Sequence, residues 1–509
     1  MAWVHTDNDE LPDKRSKLYD KAVELLLWKW ESQKQYHDGR ETLIELALKV
    51  SDGRSAIERQ LRRAAYKAHA ALPATDDVKS SEVFEALADV DEADLQHGLA
   101  QLKKDPLSLK GDENWARDVI DAIKNRSGLL ARRGENRLTF PHRTFQEFLA
   151  GLHMLEDPRF IEQVLEKTSQ LQIWREPILL AVGYTVFKQD QRDLAKPIML
   201  ARRLCNDPCD DEDLSWRRIW LAGEVLREVN PDDARSKDPG TLREVQVKLT
   251  QLVVTGRLTP AERARAGSVL ARIGDPRFDP DHWQLPNDPD TVLGFVDIPE
   301  GPFYMGTRNA DLRRNASRSA LEKVKDAAMD VVTLGKHGAS ENDEVWPDDS
   351  PMHLPRFLIA RYPTTVAQFR VFVAETGIKL EDEGALRDDD TDPVRNVTWH
   401  EAIAYCDWLH ETFKQSPLTP EPLRRLITEQ GWRVTLPSEA EWECAARGSV
   451  ESNPHPQRLY PWGDQMPDPQ HNDFANLRYA NVSSTSAVGA FPLGHSPYGC
   501  ADMAGNVSE

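Results

Sequence analysis

Cysteine is scarce here, at five in 509 residues. Five scattered thiols cannot build a disulfide framework. Cys205 and Cys209, with three residues between them, have no second pair or histidine cluster nearby, so they read as ordinary thiols and not as a zinc site. Long apolar runs are missing too. The best, 178–186, falls short of the roughly 18 residues a membrane helix needs and reads as a buried helix, so no membrane partner is expected. Basic charge is outnumbered, 64 Lys and Arg against 84 Asp and Glu, for a net charge of −20. Nucleic acid is therefore not an expected partner, because phosphate binding needs clustered positive charge. The phosphate-cradling pattern Gly-x-x-x-x-Gly-Lys-Ser/Thr is also absent. Gly335-Lys336-His337 lacks both the glycine run and the Mg²⁺-binding hydroxyl, so no nucleotide hydrolysis is expected. The first ten residues are polar and acidic, unlike a signal peptide, and cytoplasmic residence follows as the expectation.

The first half of the chain is rich in helix signals. From 16 to 31, Leu18, Ala22, Leu25, Leu26 and Lys29 follow helical spacing, with Ser16 as the expected N-cap. Helices are predicted over 41–50 and 54–71, and another opening at Ser80 or Ser81. The period then changes. Leu129 and Leu130 on one arm, Gly134-Glu-Asn in the turn, and Leu138 and Phe140 on the other predict a hairpin. Phe145, Phe148, Leu149 and Leu152 predict an amphipathic helix straight after it. Helices, a hairpin and a further helix suggest a winged-helix unit. Residues 152–290 read as helical, and 216–227 and 261–274 share an alternation of small and large apolar residues like units of a helical stack. The Pro- and Asp-rich stretch after Gly274 reads as a linker.

Two phrases resemble the NACHT class of signalling NTPases. Leu11-Pro with the helix from Leu18 to Trp30 is similar to the end of the nucleotide-binding module. Phe140-Pro-His-Arg-Thr-Phe-Gln-Glu-Phe-Leu-Ala is similar to the winged-helix exit. In that class the histidine matching His142 lies near the nucleotide in some members; here His142 is read as a packing histidine.

The second half carries a different set of phrases. Residues 295–306 contain two short strands flanking a Pro299-Glu-Gly-Pro302 turn. Strand-like 357–360 follows, then Thr365 capping a helix with Phe369 and Phe372. A short strand at 393–397 leads to Thr398 capping a helix with Ala402, Tyr405, Cys406 and Leu409 inward. In 431–448, Trp432, Val434 and Leu436 alternate with polar residues, as in a half-buried strand. Ser438 and Glu441 then form a capping box, Trp442, Ala445 and Ala446 give an apolar helix face, and Gly448 ends the helix. Tyr460-Pro-Trp-Gly-Asp464, 472–477, Val488-Gly-Ala-Phe-Pro492 and 498–509 complete the series. In this order the phrases resemble the formylglycine-generating enzymes, or sulfatase-modifying factors, over about 295–509. That resemblance implies a C-type-lectin-like fold of short antiparallel strands, two helices and long ordered loops. The stretch between Gly306 and Asp349 is longer than the family usually carries and reads as a surface insertion.

The expected architecture is thus α+β and multidomain. Residues 1–151 form a helical and winged-helix region, 152–274 a helical region, 275–294 a linker, and 295–509 a C-type-lectin-like formylglycine-generating-enzyme domain.

The resemblance also implies chemistry. Asp502, Gly505, Val507 and Glu509 match family positions that bind calcium, and two carboxylates with two carbonyls form the all-oxygen set that Ca²⁺ prefers. A second family calcium site would start at Asn476 and Leu477, but 479–486 offers no matching Asp. The family's enzymes oxidise a substrate cysteine with O₂ and copper held by two cysteines, soft donors suited to Cu(I). Those cysteines are expected beyond Glu509. Cys406, Cys444 and Cys500 read as packing, and no catalytic residue is assigned. Another branch of the fold joins sulfur to histidine derivatives using iron; His37, His69 and His97 lack the spacing for shared ligation. The chain reads as a fragment of a NACHT-like signalling protein, oligomerising through a NACHT module outside it. Its second half is expected to bind a protein or peptide ligand without chemistry. The alternative is a copper- and O₂-dependent oxidase in the full-length protein.

Overall fold

The computed structural model describes residues 14–29, 41–73, 89–104, 111–187, 193–306, 351–452, 458–467, 473–477, 482 and 484–508. The helix expected from Ser80 or Ser81, the insertion after Gly306 and Glu509 lie outside these residues. Two compact units divide the chain, Met1–Val245 and Gln246–Glu509. No described helix is long and apolar enough to cross a membrane.

In the first unit, α1 (Arg15–Glu24) continues into a π-helical turn, Leu25–Lys29. Ser16 is not its cap. It lies one residue inside the helix and is buried, while Lys14 holds the N-cap position without a side-chain capping bond. The buried residues are Ser16, Val23, Leu27 and Trp28, a different face from the one expected. The reason is close packing. A Cβ on Gly183 would come within 2.6 Å of the Ser16 hydroxyl, so a small residue on each side lets α1 approach the helix carrying Gly183.

Helices α2 (Leu43–Leu48) and α3 (Gly53–Ala70) follow, then β1 (Val90–Asp91), α4 (Glu92–Ala100) and α5 (Glu113–Ala122). The hairpin forms as expected: β2 (Ala131–Gly134) pairs antiparallel with β3 (Arg137–Thr139), and β1 adds on the far side of β3. Asn136, at φ 56°, takes the left-handed turn position. Leu129, Leu130, Leu138 and Phe140 are all buried, although the two leucines lie just ahead of β2. Next comes α6 (Arg143–Glu156), with Phe148, Leu149 and Leu152 buried. His142 does not pack inside. It is exposed, meeting only the edge of Phe145 at 6.0 Å between ring centres among the recorded ring contacts.

The buried histidine is His69 on α3, at 0% exposure. Its Nε2 lies 3.0 Å from the Ile173 carbonyl, which must accept, so Nε2 carries the proton. Nδ1 then accepts from the Gln146 amide at 3.3 Å. Burial, with Arg143 and Lys167 nearby, pushes its pKa down to about 4. The unit is completed by α7 (Phe160–Lys167), α8 (Leu171–Phe187), α9 (Ala195–Asn206), α10 (Glu212–Val229) and α11 (Pro231–Lys237). α8 packs on α1, α6 and α10, and α9 on α10.

Helix α12 (Pro239–Val254) contains the division between units, and α13 (Pro260–Ile273) starts from a Thr259–Glu262 capping box. The stretch expected as a linker, 275–294, is part of the second unit. It contains the antiparallel pair β4 (Phe278–Asp279) and β5 (Leu285–Pro286). Its Asp and Pro residues serve local turns: Asp279 accepts from the Asp281 amide, and Asp275 from the Arg277 amide.

The two strands around the 299–302 turn form, but they do not pair with each other. β6 (Phe295–Ile298) pairs with β9 (Phe357–Ala360), and β7 (Gly301–Phe303) with β8 (Met352–Leu354). Helices α14 (Val366–Thr376) and α15 (Trp399–Gln415) start from the capping boxes Thr365–Gln368 and Thr398–Glu401. They pack together around Phe369, Phe372, Tyr405, Cys406, Leu409 and Phe413. The strand expected at 393–397 is only a single bridge, Thr365 to Pro393; Asn396, at φ 60°, turns the chain. After α16 (Glu421–Thr428), residues 432–436 show the expected alternation of half-buried and exposed positions without a ladder. The amide of Trp432 donates to the Leu426 carbonyl and that of Val434 to His410. Helix α17 (Glu439–Arg447) has the Ser438–Glu441 box and ends at Gly448. Its Cys444, Ala445 and Ala446 join Val296, Ile298, Phe303, Phe357, Cys500 and Met503 in a second core, against which Trp442 packs.

Candidate functional site

The last described stretch has almost no regular structure, yet it is closely bonded. Asp502 is buried and sits at φ 56°, a left-handed conformation that Asp and Asn tolerate better than most residues. Its Oδ2 accepts the Gly489 amide at 2.6 Å. Gly505 (φ 83°) and Asn506 (φ 67°) turn the chain, and the Val507 amide donates back to the Gly505 carbonyl at 2.9 Å. That i to i+2 bond around a positive φ has the form of a strained γ-turn. Gly505 is required sterically as well, since a Cβ would lie 2.7 Å from the Asn476 carbonyl.

Asn506, at this turn, is the hub. Its Oδ1 accepts from the Ser486 amide at 2.9 Å and from Asn476 Nδ2 at 3.2 Å. Its Nδ2 donates to the Ser486 carbonyl at 3.0 Å, and its own amide to the Asn476 carbonyl at 2.9 Å. Asn476 Nδ2 also reaches the Ser484 carbonyl and the Ser486 hydroxyl. Thus Asn476, where a second family calcium site would start, is tied by hydrogen bonds to Asn506 on this loop.

Of the four expected calcium ligands, Asp502, Gly505 and Val507 are placed on this loop, and Glu509 lies outside the described residues. In donor type the three fit a hard cation, offering one carboxylate and two carbonyls. No group of three or more His, Cys, Asp or Glu side chains that could hold a metal occurs among the described residues, so a cation here would depend on backbone oxygens.

The strip 485–490 supports this loop from below. Its Val488 carbonyl accepts Arg277 Nη1 at 2.7 Å, and its Ala490 carbonyl accepts Arg263 Nε at 2.7 Å. The Val488 amide donates to the Thr391 carbonyl at 2.9 Å. Arg277 is fixed by Asp275 at 2.6 Å, and the paired charge holds its pKa above the ordinary arginine value despite burial. No spacing signal marks the bonds of Arg263 and Arg277 to this strip, because those carbonyls lie more than 200 residues away.

The thiols are placed as expected. Cys406 and Cys444 lie in the two cores, and burial pushes each to a pKa of about 11. Cys500 is fully buried, and burial raises its pKa as well. Cys205 is buried, Cys209 is half-buried, and none of the five forms a disulfide. A neutral, enclosed thiol is a poor nucleophile and a poor Cu(I) ligand.

Comparison with known proteins agrees with both halves of this architecture. Residues 15–154 match the winged helix-turn-helix domain found C-terminal to NACHT, and residues 284–509 match the sulfatase-modifying factor enzyme 1-like domain. The formylglycine-generating enzyme of Mus musculus is 29% identical over 125 residues, which are 23% of this chain and 26% of that protein. The chain therefore spans about a quarter of that relative's length. The inactive C-alpha-formylglycine-generating enzyme 2 of Bos taurus is 32% identical over 247 residues, 43% of this chain and 70% of that protein. Hercynine oxygenase of Mycolicibacterium smegmatis is 27% identical over 256 residues, 43% of this chain and 52% of that protein. With that identity over 70% of the bovine protein and the match across 284–509, the chain belongs to the formylglycine-generating enzyme, or sulfatase-modifying factor, family.

Proposed function

We propose that residues 284–509 act as a binding module for a protein or peptide ligand within a NACHT-like signalling protein, without thiol chemistry of their own. The observation that carries this reading is the placement of Cys406, Cys444 and Cys500, all enclosed in packed cores with raised pKa values. The short strand pairs and long bonded loops support a C-type-lectin-like scaffold, on which loops vary while the frame stays fixed. Stacked rings of Tyr460, Trp462 and Phe474, with Met466 exposed beside them, offer an apolar loop surface. The bovine relative named as inactive fits the same reading. Five thiols, none in a disulfide, suit a reducing compartment such as the cytoplasm. Selection of a displayed peptide library on the full chain, followed by calorimetric titration of the selected peptide, should give saturable binding. Copper-dependent O₂ consumption with a cysteine peptide, yielding an aldehyde-bearing product, would instead establish the oxidase alternative favoured by the relatives named as formylglycine-generating enzymes.

Calcium at Asp502, Gly505, Val507 and Glu509 belongs to the same proposal. The donor chemistry supports it, and the cation would brace the loop rather than react. Melting curves with Ca²⁺, and with Mg²⁺ as control, test it. An upward shift specific to Ca²⁺ is expected, and equal curves would remove calcium from the proposal.

A further inference from the structure

The run Asp388-Asp-Asp-Thr-Asp392 sets four carboxylates within five residues, and the structure treats them unequally. Asp388 is paired with Arg395 at 2.5 Å. Asp389 accepts from the Ser268 hydroxyl and from Arg272 Nε at 2.9 Å, and Asp390 is paired with Arg370. Asp392 has no such cation. It is 7% exposed; its Oδ2 accepts only the Thr485 hydroxyl at 3.1 Å, and its buried Oδ1 has no hydrogen-bond partner. The neighbouring Thr391 hydroxyl is likewise buried and unpartnered. Burial raises its pKa most, and Asp389 and Asp388 add repulsion, against the lowering effects of the Thr485 hydrogen bond and Arg395.

The position of Asp392 makes its charge consequential. Its hydroxyl donor, Thr485, opens the 485–490 strip, and Thr391 beside it accepts the Val488 amide. The next residue, Ser486, is held on both sides of its peptide by Asn506, and Gly489 by Asp502. A charge appearing on Asp392 would stand at the base of this strip against two fixed carboxylates, with little water to screen it.

We propose that Asp392 is a proton-operated latch: protonated, it lets the 485–490 strip close on the 388–392 turn, and ionised, it loosens that strip and with it the Asn506 and Asp502 loop. Burial, with Asp389 and Asp388 alongside, moves the carboxyl up to about 7 from its ordinary value of 3.8. A folded-state pKa raised above the unfolded one gives stability that is full below the unfolded value and lost as pH rises through the folded one. The latch therefore closes on acidification and opens towards alkaline pH.

Hydrogen exchange of the full chain tests this, read at the Ser486, Val488, Gly489 and Asn506 amides, each of which donates a bond in the closed form. Between about pH 5.5 and about pH 8, protection corrected for intrinsic rate should fall roughly thirtyfold, as linkage gives for these two pKa values. Asp392→Asn keeps a neutral side chain and should hold protection constant. Asp389→Asn removes the largest repulsion while leaving Asp392 in place, and should move the midpoint to lower pH. Equal pH profiles in the wild type and Asp392→Asn would overturn the proposal. So would a wild-type profile whose midpoint Asp389→Asn leaves unmoved, a result that does not need Asp392→Asn to fold.

Discussion

Arg263 offers a direct test of what holds the second unit's loops. Its side chain is fully buried on α13. Nε donates to the Ala490 carbonyl at 2.7 Å, Nη1 to Gly256 at 3.1 Å and Leu258 at 2.9 Å, and Nη2 to Asp473 at 3.2 Å. Two effects could account for a buried arginine here: its ion pair, or its capping of three carbonyls. The ion pair is weak on its geometry. Asp473 is 41% exposed, so solvent screens the pair to roughly 0–1 kcal/mol. Burial lowers the pKa of Arg263, so desolvation opposes its charge. The carbonyls are different: each buried acceptor left without a donor costs about 1–3 kcal/mol. Arg263→Leu removes all three donors while filling apolar space, which offsets part of the loss. The expected cost is about 3 kcal/mol, against about 0.5 kcal/mol for Asp473→Asn.

Because the chain has two units, a single unfolding midpoint is not a defined quantity. Pulse proteolysis in urea with peptide mapping reads each unit separately. Arg263→Leu should lower the midpoint of peptides from the second unit and leave those from α3 and α6 unmoved. If Asp473→Asn costs as much as Arg263→Leu, or if Arg263→Leu costs under about 1 kcal/mol, the carbonyl-capping argument fails.

Three further outcomes are expected. Ser438→Ala removes one half of the α17 capping box, in which the Glu441 amide donates to Ser438 Oγ, and should cost about 1 kcal/mol by the same proteolytic readout. His69 has a folded-state pKa near 4, below its ordinary 6.5, so its contribution is complete above about 6.5 and fades as pH falls towards 4. The first unit should lose about 3 kcal/mol over that window, and a His69→Gln variant, measured from pH 4 to 7, should lack the loss. Gly489→Ala should destabilise the second unit by more than about 2 kcal/mol. The residue sits at φ 75°, and the new Cβ would lie 2.7 Å from the Tyr362 ring; an effect under about 0.5 kcal/mol would contradict the placement of this strip.

What the sequence made readable was local. The caps at Thr365, Thr398 and Ser438 each need only a few consecutive residues, and all three stand where the pattern predicts them, each within a full capping box. The hairpin at 131–139 likewise carries its own turn chemistry. Period-two alternation at 432–436 correctly gave the facing of each side chain, but not a strand. Alternation records burial, whereas a ladder needs a partner chain, and here the amides go to Leu426 and His410. The face of α1 was misread for a related reason. Its contact is fixed by Ser16 against Gly183, a small pair that carries no hydrophobic signal. In the candidate site, the loop residues were found through family resemblance. Asn506, Arg263, Arg277 and Asp392 were not, since each acts across separations that no single-sequence pattern encodes.

These long-range bonds explain how a stretch without helix or strand can still be a fixed scaffold. A buried backbone group must be paired, and regular structure is only the commonest way to pair it. In 485–490 most of the partners are side chains, with the Val488 amide alone among those named going to a backbone carbonyl, that of Thr391. Asn506 takes both polar groups of Ser486, Asp502 takes the Gly489 amide, and Arg277 and Arg263 take the Val488 and Ala490 carbonyls. These four side chains can each serve a backbone group from a distance, so the strip is held from α13, the 275–277 turn and the 502–506 loop. Rigidity of this kind is more conditional than that of a sheet. Removing one partner strands one buried group, and changing the protonation of one neighbour, Asp392, acts on several at once. A domain built this way can vary its outer loops freely while its inner strip stays set, and it can be loosened at one titratable point without unfolding α14, α15 or α17.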